Sequence, residues 1–399
     1  MNATQAKASA LPYIATAAYY LSFIILGLTT AISGSSILTL AEHTSSGLDR
    51  ISLIFIFGSL GYIAGSYFGG LAYDRIPAHK LMVGMLLVMG VASALIPISR
   101  TLEVLLFSMF LSGLASGIID VGCNTVILWT HGDSAGPFLN GLHFFFGVGS
   151  LIAPFLLGQI LPKTGDILWV YLIFSILCIP TALWLWFLPD PPRQTSTENE
   201  NPSASFPLVP VALVVILFLL YVGLELGFGN WIYTYTVTLG LGTITAAANL
   251  NGVFWGSFTL GRLLGVWVST RLRSQTILLL DILGCAISII LIMLWKESTT
   301  ALWIGTIGLG LSMASVFPTF IILAGERMRI TGTITGWFLV GSGAGGMLLP
   351  WLLGQIFART GPEAMTTVLL ITLAGLFLVL LLFINIRTKP LPKPTPGAN

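Results

Sequence analysis

Charge is what this sequence has least of. Asp, Glu, Lys and Arg make up 8% of its 399 residues, against roughly 25% in an average soluble domain, which excludes a soluble globular protein. Seventeen basic and 15 acidic side chains leave a net charge of +2, too small an excess to draw nucleic acid. Cysteine is nearly absent as well. Cys123, Cys178 and Cys285 are the whole complement and fall in three different apolar runs, so neither a disulfide scaffold nor a thiolate metal site is expected. No phosphate-binding loop or nucleophile triad stands out, and the sequence points away from an enzyme and from a resident cofactor or metal. A disordered chain would need the low hydrophobicity that this one lacks.

Hydrophobic residues fill 55% of the chain, and the mean hydropathy is +0.94. A bilayer core about 30 Å thick takes roughly 20 apolar helical residues per crossing. Twelve runs meet that need, over 12–40, 51–72, 81–98, 104–128, 137–161, 167–188, 207–238, 246–270, 276–295, 301–324, 334–357 and 365–386. The expected fold class is an all-α membrane protein of twelve transmembrane helices. The first run is too long for the apolar core of a signal peptide and is expected to be retained. Lys and Arg set the orientation, because cytoplasmic loops hold an excess of them. With the N-terminus inside, Lys7, Arg75, Lys80, Arg193, Arg271, Arg273, Arg327, Arg329, Arg387, Lys389 and Lys393 are cytoplasmic, against Arg50, Arg100, Lys163, Lys296 and Arg359 outside. Both termini are expected in the cytoplasm.

The polar, Pro/Ser/Asn-rich stretch 189–206 reads as a linker between a six-helix bundle over 1–188 and a second, with a short tail, over 207–399. The halves share sequence. Pro154–Gly165 and Pro350–Gly361 are identical at eight of twelve positions at an offset of 196, and the same offset places Gly65, Gly69 and Arg75 on Gly261, Gly265 and Arg271. That pattern indicates a duplicated half.

Two parallel six-helix repeats around a midplane site are the architecture of major facilitator transporters. The stretch from Gly70 through Asp74 and Arg75 to His79 and Lys80 resembles that superfamily's cytoplasmic signature, with Pro77 where Gly is usual and His79 where Arg is usual. The resemblance implies a state-setting role for Asp74 and Arg75 without substrate contact. In the fourth run, Asp120 and Asn124 stand four apart. The run from Leu220 through Glu225 and Asn230 to Trp231, and the stretch Gly261–Leu264, have similar counterparts. These stretches resemble the sodium-dependent glucose transporter group and the bacterial glucose/mannose and fucose proton symporters. The resemblance implies symport of a monosaccharide such as glucose, with a proton favoured and sodium possible as coupling ion. It also implies a bacterial inner membrane, a lipid bilayer and a sugar as partners, and a monomer as the working unit.

A charge inside hydrocarbon costs about 2.5–3.5 kcal/mol even on insertion scales, so each intramembrane ionisable group is a functional candidate. Asp120 and Asn124 lie one turn apart on one face, and His143 enters from the next helix at comparable depth, within geometric reach of Asp120. A structural Asp–His tie is the plain alternative. Glu225 has no basic residue within a turn and is followed by Gly227, Gly229 and Asn230, which suggests a locally broken helix lining a cavity. Glu225 and Asp120 are the candidate coupling carboxylates. Sugar pockets combine flat aromatic surface with amides and hydroxyls. Asn251, Trp255 and Thr259 share one helical face, Trp231 follows Asn230, and Thr29 and Ser33 form part of a hydroxyl stripe in the first run. Arg262 is the intramembrane cation and is expected to pair with Asp281 as a structural or gating element. The rival readings are a proton-driven exporter of drugs or lipids, with Phe144–Phe146 as cavity wall, and a non-transporting sensor on the same fold.

Overall fold

The computed structural model describes residues 3–192, 207–328 and 330–386. Most of the expected linker, with Arg193, lies outside these residues, as do Arg329 and the tail carrying Arg387, Lys389 and Lys393. Twelve helical spans follow one another: α1 Ala3–His43, α2 Leu48–Tyr73, α3 Ala78–Ile98, α4 Leu102–His131, α5 Ala135–Thr164 and α6 Leu168–Trp186. The second six are α7 Leu208–Thr238, α8 Ile244–Ser269, α9 Ser274–Leu294, α10 Thr299–Gly325, α11 Gly332–Thr360 and α12 Ala364–Asn385. No strand occurs among the described residues.

Eleven of these spans are long and apolar enough to cross a membrane; α8 falls short because Asn249, Asn251 and Arg262 dilute its hydropathy. It is nonetheless 26 residues long and packed between α5 and α10, where protein rather than lipid meets its polar groups. Helix starts follow ordinary capping chemistry at Thr101, Thr243, Ser298 and Thr331, each accepting a backbone N–H three residues on. The span α10 is interrupted between Met313 and Val316.

Small residues set the packing, since apolar side chains gain nothing over lipid by meeting one another. A Cβ at Gly149 would strike the carbonyl of Ile24 in α1, and a Cβ at Gly345 would strike that of Leu219 in α7. These two glycines are 196 residues apart, so the duplication read in the sequence recurs as matched α1–α5 and α7–α11 contacts. Gly113 against Gly58 brings α4 onto α2 in the same way.

The two sets of six helices meet along α5–α8, α2–α11 and α1–α7. Three side chains join them by hydrogen bonds toward the face opposite the N-terminus. Thr245 donates to the Gly158 carbonyl at 2.9 Å, Asn251 to the Ser35 hydroxyl at 3.1 Å, and Gln355 to the Asp49 carbonyl at 2.7 Å and the Ser52 hydroxyl at 3.3 Å. The halves are therefore fastened at that face. Nearer the N-terminal face they part into a cleft, where His143 is exposed and Asp120, Asn124, Glu225 and Arg262 are partly accessible.

Candidate substrate and ion site

On the N-terminal side of the cleft, the i, i+4 spacing of Asp120 and Asn124 does what it should. The Asn124 amide donates to the Asp120 carboxylate and to its backbone carbonyl, both at 2.9 Å. The second carboxylate oxygen accepts the Tyr62 hydroxyl from α2. The expected Asp120–His143 bond is not formed, because the glycine contact between α2 and α4 brings Tyr62 to Asp120 first. His143 instead sits edge-on to Phe23, ring centroids 6.0 Å apart, and within electrostatic reach of Arg262. Tyr62 was missed from the sequence; its signal was a tyrosine embedded in the glycine stripe Gly58, Gly61, Gly65.

On the opposite side, α7 carries Tyr221 and, one turn on, Glu225. The Tyr221 hydroxyl donates to the Met313 carbonyl at 2.8 Å, where the interruption of α10 leaves backbone oxygens unclaimed. Glu225 lies beside Tyr221 and in the field of Arg262 from α8. The Arg262 guanidinium covers the Phe258 ring at 4.6 Å, and its Nε is buried without a hydrogen-bond partner. A cation over an aromatic face in a desolvated site gains up to about 2 kcal/mol, and the neighbouring carboxylate offsets more of its burial. The expected Arg262–Asp281 pair is absent. Asp281 accepts from the Ser315 hydroxyl at 2.5 Å instead, on the far side of α10, because α10 stands between α9 and the cleft.

The helix around Glu225 also differs from expectation: α7 runs unbroken from Leu208 to Thr238, and α10 is the interrupted span. Gly227 and Gly229 serve close approach instead. A Cβ at Gly227 would stand 3.3 Å from Leu349 and Leu353, and one at Gly229 would stand 2.8 Å from the Trp255 ring.

The α8 face keeps its expected polarity. Asn251 donates to the Ser35 hydroxyl and to the Gly229 carbonyl, while its Oδ1 and the Nε1 of Trp255, both buried, have no partner. Unpaired buried polar atoms cost roughly 1–3 kcal/mol each, and a ligand hydroxyl is one way to meet that need. Thr259 bonds back to the Trp255 carbonyl at 2.8 Å and packs at Gly147. Asn230 is buried where the backbone of α7 abuts Gly34 of α1. Trp231 is not a cleft residue: it is fully buried, donates to the Pro350 carbonyl at 2.8 Å, and packs between Phe55 and Phe357. A bulky aromatic filled the interface of the halves rather than the opening. Thr29 and Ser33 are partly accessible, and their hydroxyls bond the preceding turn of α1.

Asp74 and Arg75 lie exposed in the turn after α2. Their motif neighbour His79 is buried. Its ring meets the Tyr19 hydroxyl at 2.8 Å and the Leu188 carbonyl at 3.2 Å, and its backbone N–H donates to Asp190 at 2.7 Å. The carboxylate of Asp190 thus caps the start of α3 from beyond α6, tying three helices at the N-terminal face.

The sequence profile of the Major Facilitator Superfamily matches residues 19–350. The chain belongs to the major facilitator superfamily. Sodium-dependent glucose transporter 1 of Xenopus laevis is 30% identical over 355 residues, covering 82% of this chain and 72% of that one. Its counterpart in Rattus norvegicus is 32% identical over 374 residues, covering 84% and 77%. Among solved structures, a D-xylose-proton symporter superposes with a TM-score of 0.79 at 13% identity over 96% of this chain and 100% of that one. The xylose transporter XylE from E. coli in its inward open conformation gives 0.75 at 12% identity, over 95% and 97%. As a major facilitator protein the chain is an integral multi-pass membrane transporter and not an enzyme. Its one-sided fastening is one of the two states through which such bundles rock about a midplane site.

Proposed function

We propose that this transporter carries a monosaccharide, glucose or a related hexose, together with a proton, between the two faces of a cell membrane. The observation that carries the reading is Glu225 in the field of Arg262 in the cleft, set beside Tyr221 and an α8 face with unpartnered Trp255 Nε1, Asn251 Oδ1 and Arg262 Nε. While Glu225 is ionised its charge attracts Arg262. When Glu225 takes a proton, the guanidinium N–H groups are free to donate to sugar hydroxyls. Proton and sugar then enter the cleft together, which is the condition for symport. Asp120 is the second carboxylate of the reading, with Asn124, His143 and Asn230 as further contacts. The names of the similar proteins, a sodium-dependent glucose transporter by sequence and a xylose-proton symporter by fold, support the sugar class.

Sodium is the second reading. It rests on the name of the sodium-dependent relative and on Asp120, whose carboxylate stands beside the Tyr62 phenol oxygen and the Asn124 amide. The excess of Lys and Arg read in the sequence supports cytoplasmic termini, and the reading has the protein in a bacterial inner membrane with the monomer as the working unit. The test is [¹⁴C]glucose uptake into proteoliposomes under separate inward proton and sodium gradients, in the parent and in Glu225→Gln. Uptake driven by the proton gradient and lost in the variant supports the reading. Uptake driven by sodium alone moves the coupling to the second reading, and no uptake under either gradient overturns the sugar assignment.

A further inference from the structure

Asp281 is a carboxylate inside the membrane on a helix that does not line the cleft, and the sugar site makes no use of it. It stands seven residues from the start of α9, roughly 10 Å below the N-terminal face, and is partly accessible. Its hydrogen-bond donor, Ser315, lies at the interruption of α10. On the other side of that interruption the Met313 carbonyl is bonded by Tyr221, the neighbour of Glu225. Glycines bring α8 and α9 close against the interruption: a Cβ at Gly284 would run into the Ser312 hydroxyl, one at Gly261 into Ala314, and one at Gly265 would stand 3.2 Å from Ser315. Cys285, one turn beyond Asp281, lies in electrostatic reach of both Asp281 and Tyr221, so this face of α9 is turned toward Tyr221.

We propose that Asp281 is the port through which the coupling proton passes between Glu225 and the cytoplasm, by way of the interruption in α10 and apart from the path of the sugar. The inference rests on the proton reading of Glu225 given above. In the release direction the O–H bond of the Glu225 carboxyl breaks and its proton passes to the Tyr221 oxygen. The proton that Tyr221 held against the Met313 carbonyl moves to a water in the interruption, and an O–H bond forms on the Asp281 carboxylate. Asp281 then gives that proton to cytoplasmic water, Tyr221 is restored, and one proton has crossed with no residue changed.

The surroundings suit a lone relay. The described parts of α10 and α12 carry no other titratable side chain, α9 adds only Cys285, and the intramembrane cation of α8, Arg262, faces Glu225. A charge retained in hydrocarbon against an appreciable insertion cost has a use by default.

The test separates proton movement from sugar movement. [¹⁴C]Glucose exchange between equal sugar concentrations needs no net proton transfer, whereas uphill uptake under a proton gradient does. Parent, Asp281→Asn, Asp281→Glu and Glu225→Gln are compared in proteoliposomes from external pH 5.5 to 8. The expected result is that Asp281→Asn loses at least about tenfold in uphill uptake, flattens the pH dependence of net efflux, and keeps exchange within about twofold, with Asp281→Glu restoring uptake. Unchanged uphill uptake in Asp281→Asn overturns the inference. So does parallel loss of exchange and uptake that Asp281→Glu fails to restore, which marks a structural role. Proton coupling that survives in Glu225→Gln overturns the reading of Glu225 itself, whatever Asp281 does, so the two failures are told apart.

Discussion

Trp231 on α7 donates its indole N–H to the Pro350 carbonyl on α11 at 2.8 Å, with its ring closed in by Phe55 from the other half and by Phe357. The residue beside Asn230, in a stretch that resembles sugar symporters, is thus part of the joint between the halves.

Trp231→Phe should therefore act on stability and leave the sugar site alone. Interhelical hydrogen bonds in membranes are worth about 0.6 kcal/mol and at most about 1.7. The expected outcome is a fall of a few degrees in the thermal midpoint in detergent, with the KM for glucose within twofold of the parent. A large rise in KM at unchanged stability would return Trp231 to the substrate site.

Glu225 and Arg262 should be coupled in stability as well as in transport. The two charges lie within electrostatic reach of each other, so neutralising one leaves the other uncompensated, while neutralising both leaves no charge to compensate. Arg262→Gln should lower the thermal midpoint more than the double change Glu225→Gln with Arg262→Gln. Losses that simply add would show that the two side chains do not pair.

Gly34 is the point where α1 lies on the backbone of Asn230, and a Cβ there has no room in the fastened state. Gly34→Val should push the halves apart at the face opposite the N-terminus. A cysteine placed by Ser36→Cys, at a position fully buried here, should then react with a membrane-impermeant maleimide added at that face, several-fold faster than in the Gly34 background. Equal labelling in both backgrounds would contradict this picture of the fastening.

His79 makes its bonds to Tyr19 and Leu188 from a buried ring. His79→Ala leaves both partners unmet, at an expected cost of about 1–3 kcal/mol each before relaxation, and should depress the thermal midpoint without changing the KM for sugar. Asp190→Asn keeps an acceptor for the His79 N–H and loses only its charge at the start of α3, worth roughly 0.3–1 kcal/mol. Thermal unfolding of the two variants side by side checks the order.

Run length and hydropathy made the twelve spans legible, and the offset of 196 already related the glycines that later proved to pack equivalently in both halves. The polar runs of the site were legible too, because a carboxylate or guanidinium in an apolar run is conspicuous wherever it points. Pairing was not. Which helix faces Arg262, and that α10 stands between it and Asp281, are matters of crossing geometry that no local pattern encodes. Tyr62 and Tyr221 escaped notice for a related reason: a tyrosine in an apolar run is indistinguishable from packing until its hydroxyl has a partner. The break assigned to α7 from its glycines belongs to α10, where Ser312 and Ser315 rather than glycine flank it.

The central claim is that sugar and proton move together through Glu225. The most direct measurement is the external pH of a lightly buffered suspension of proteoliposomes, without an imposed gradient, when glucose is added. The account predicts alkalinisation in the parent as sugar draws protons inward, and none in Glu225→Gln. Alkalinisation of equal size in Glu225→Gln, or glucose influx in the parent with no pH change at all, would contradict it.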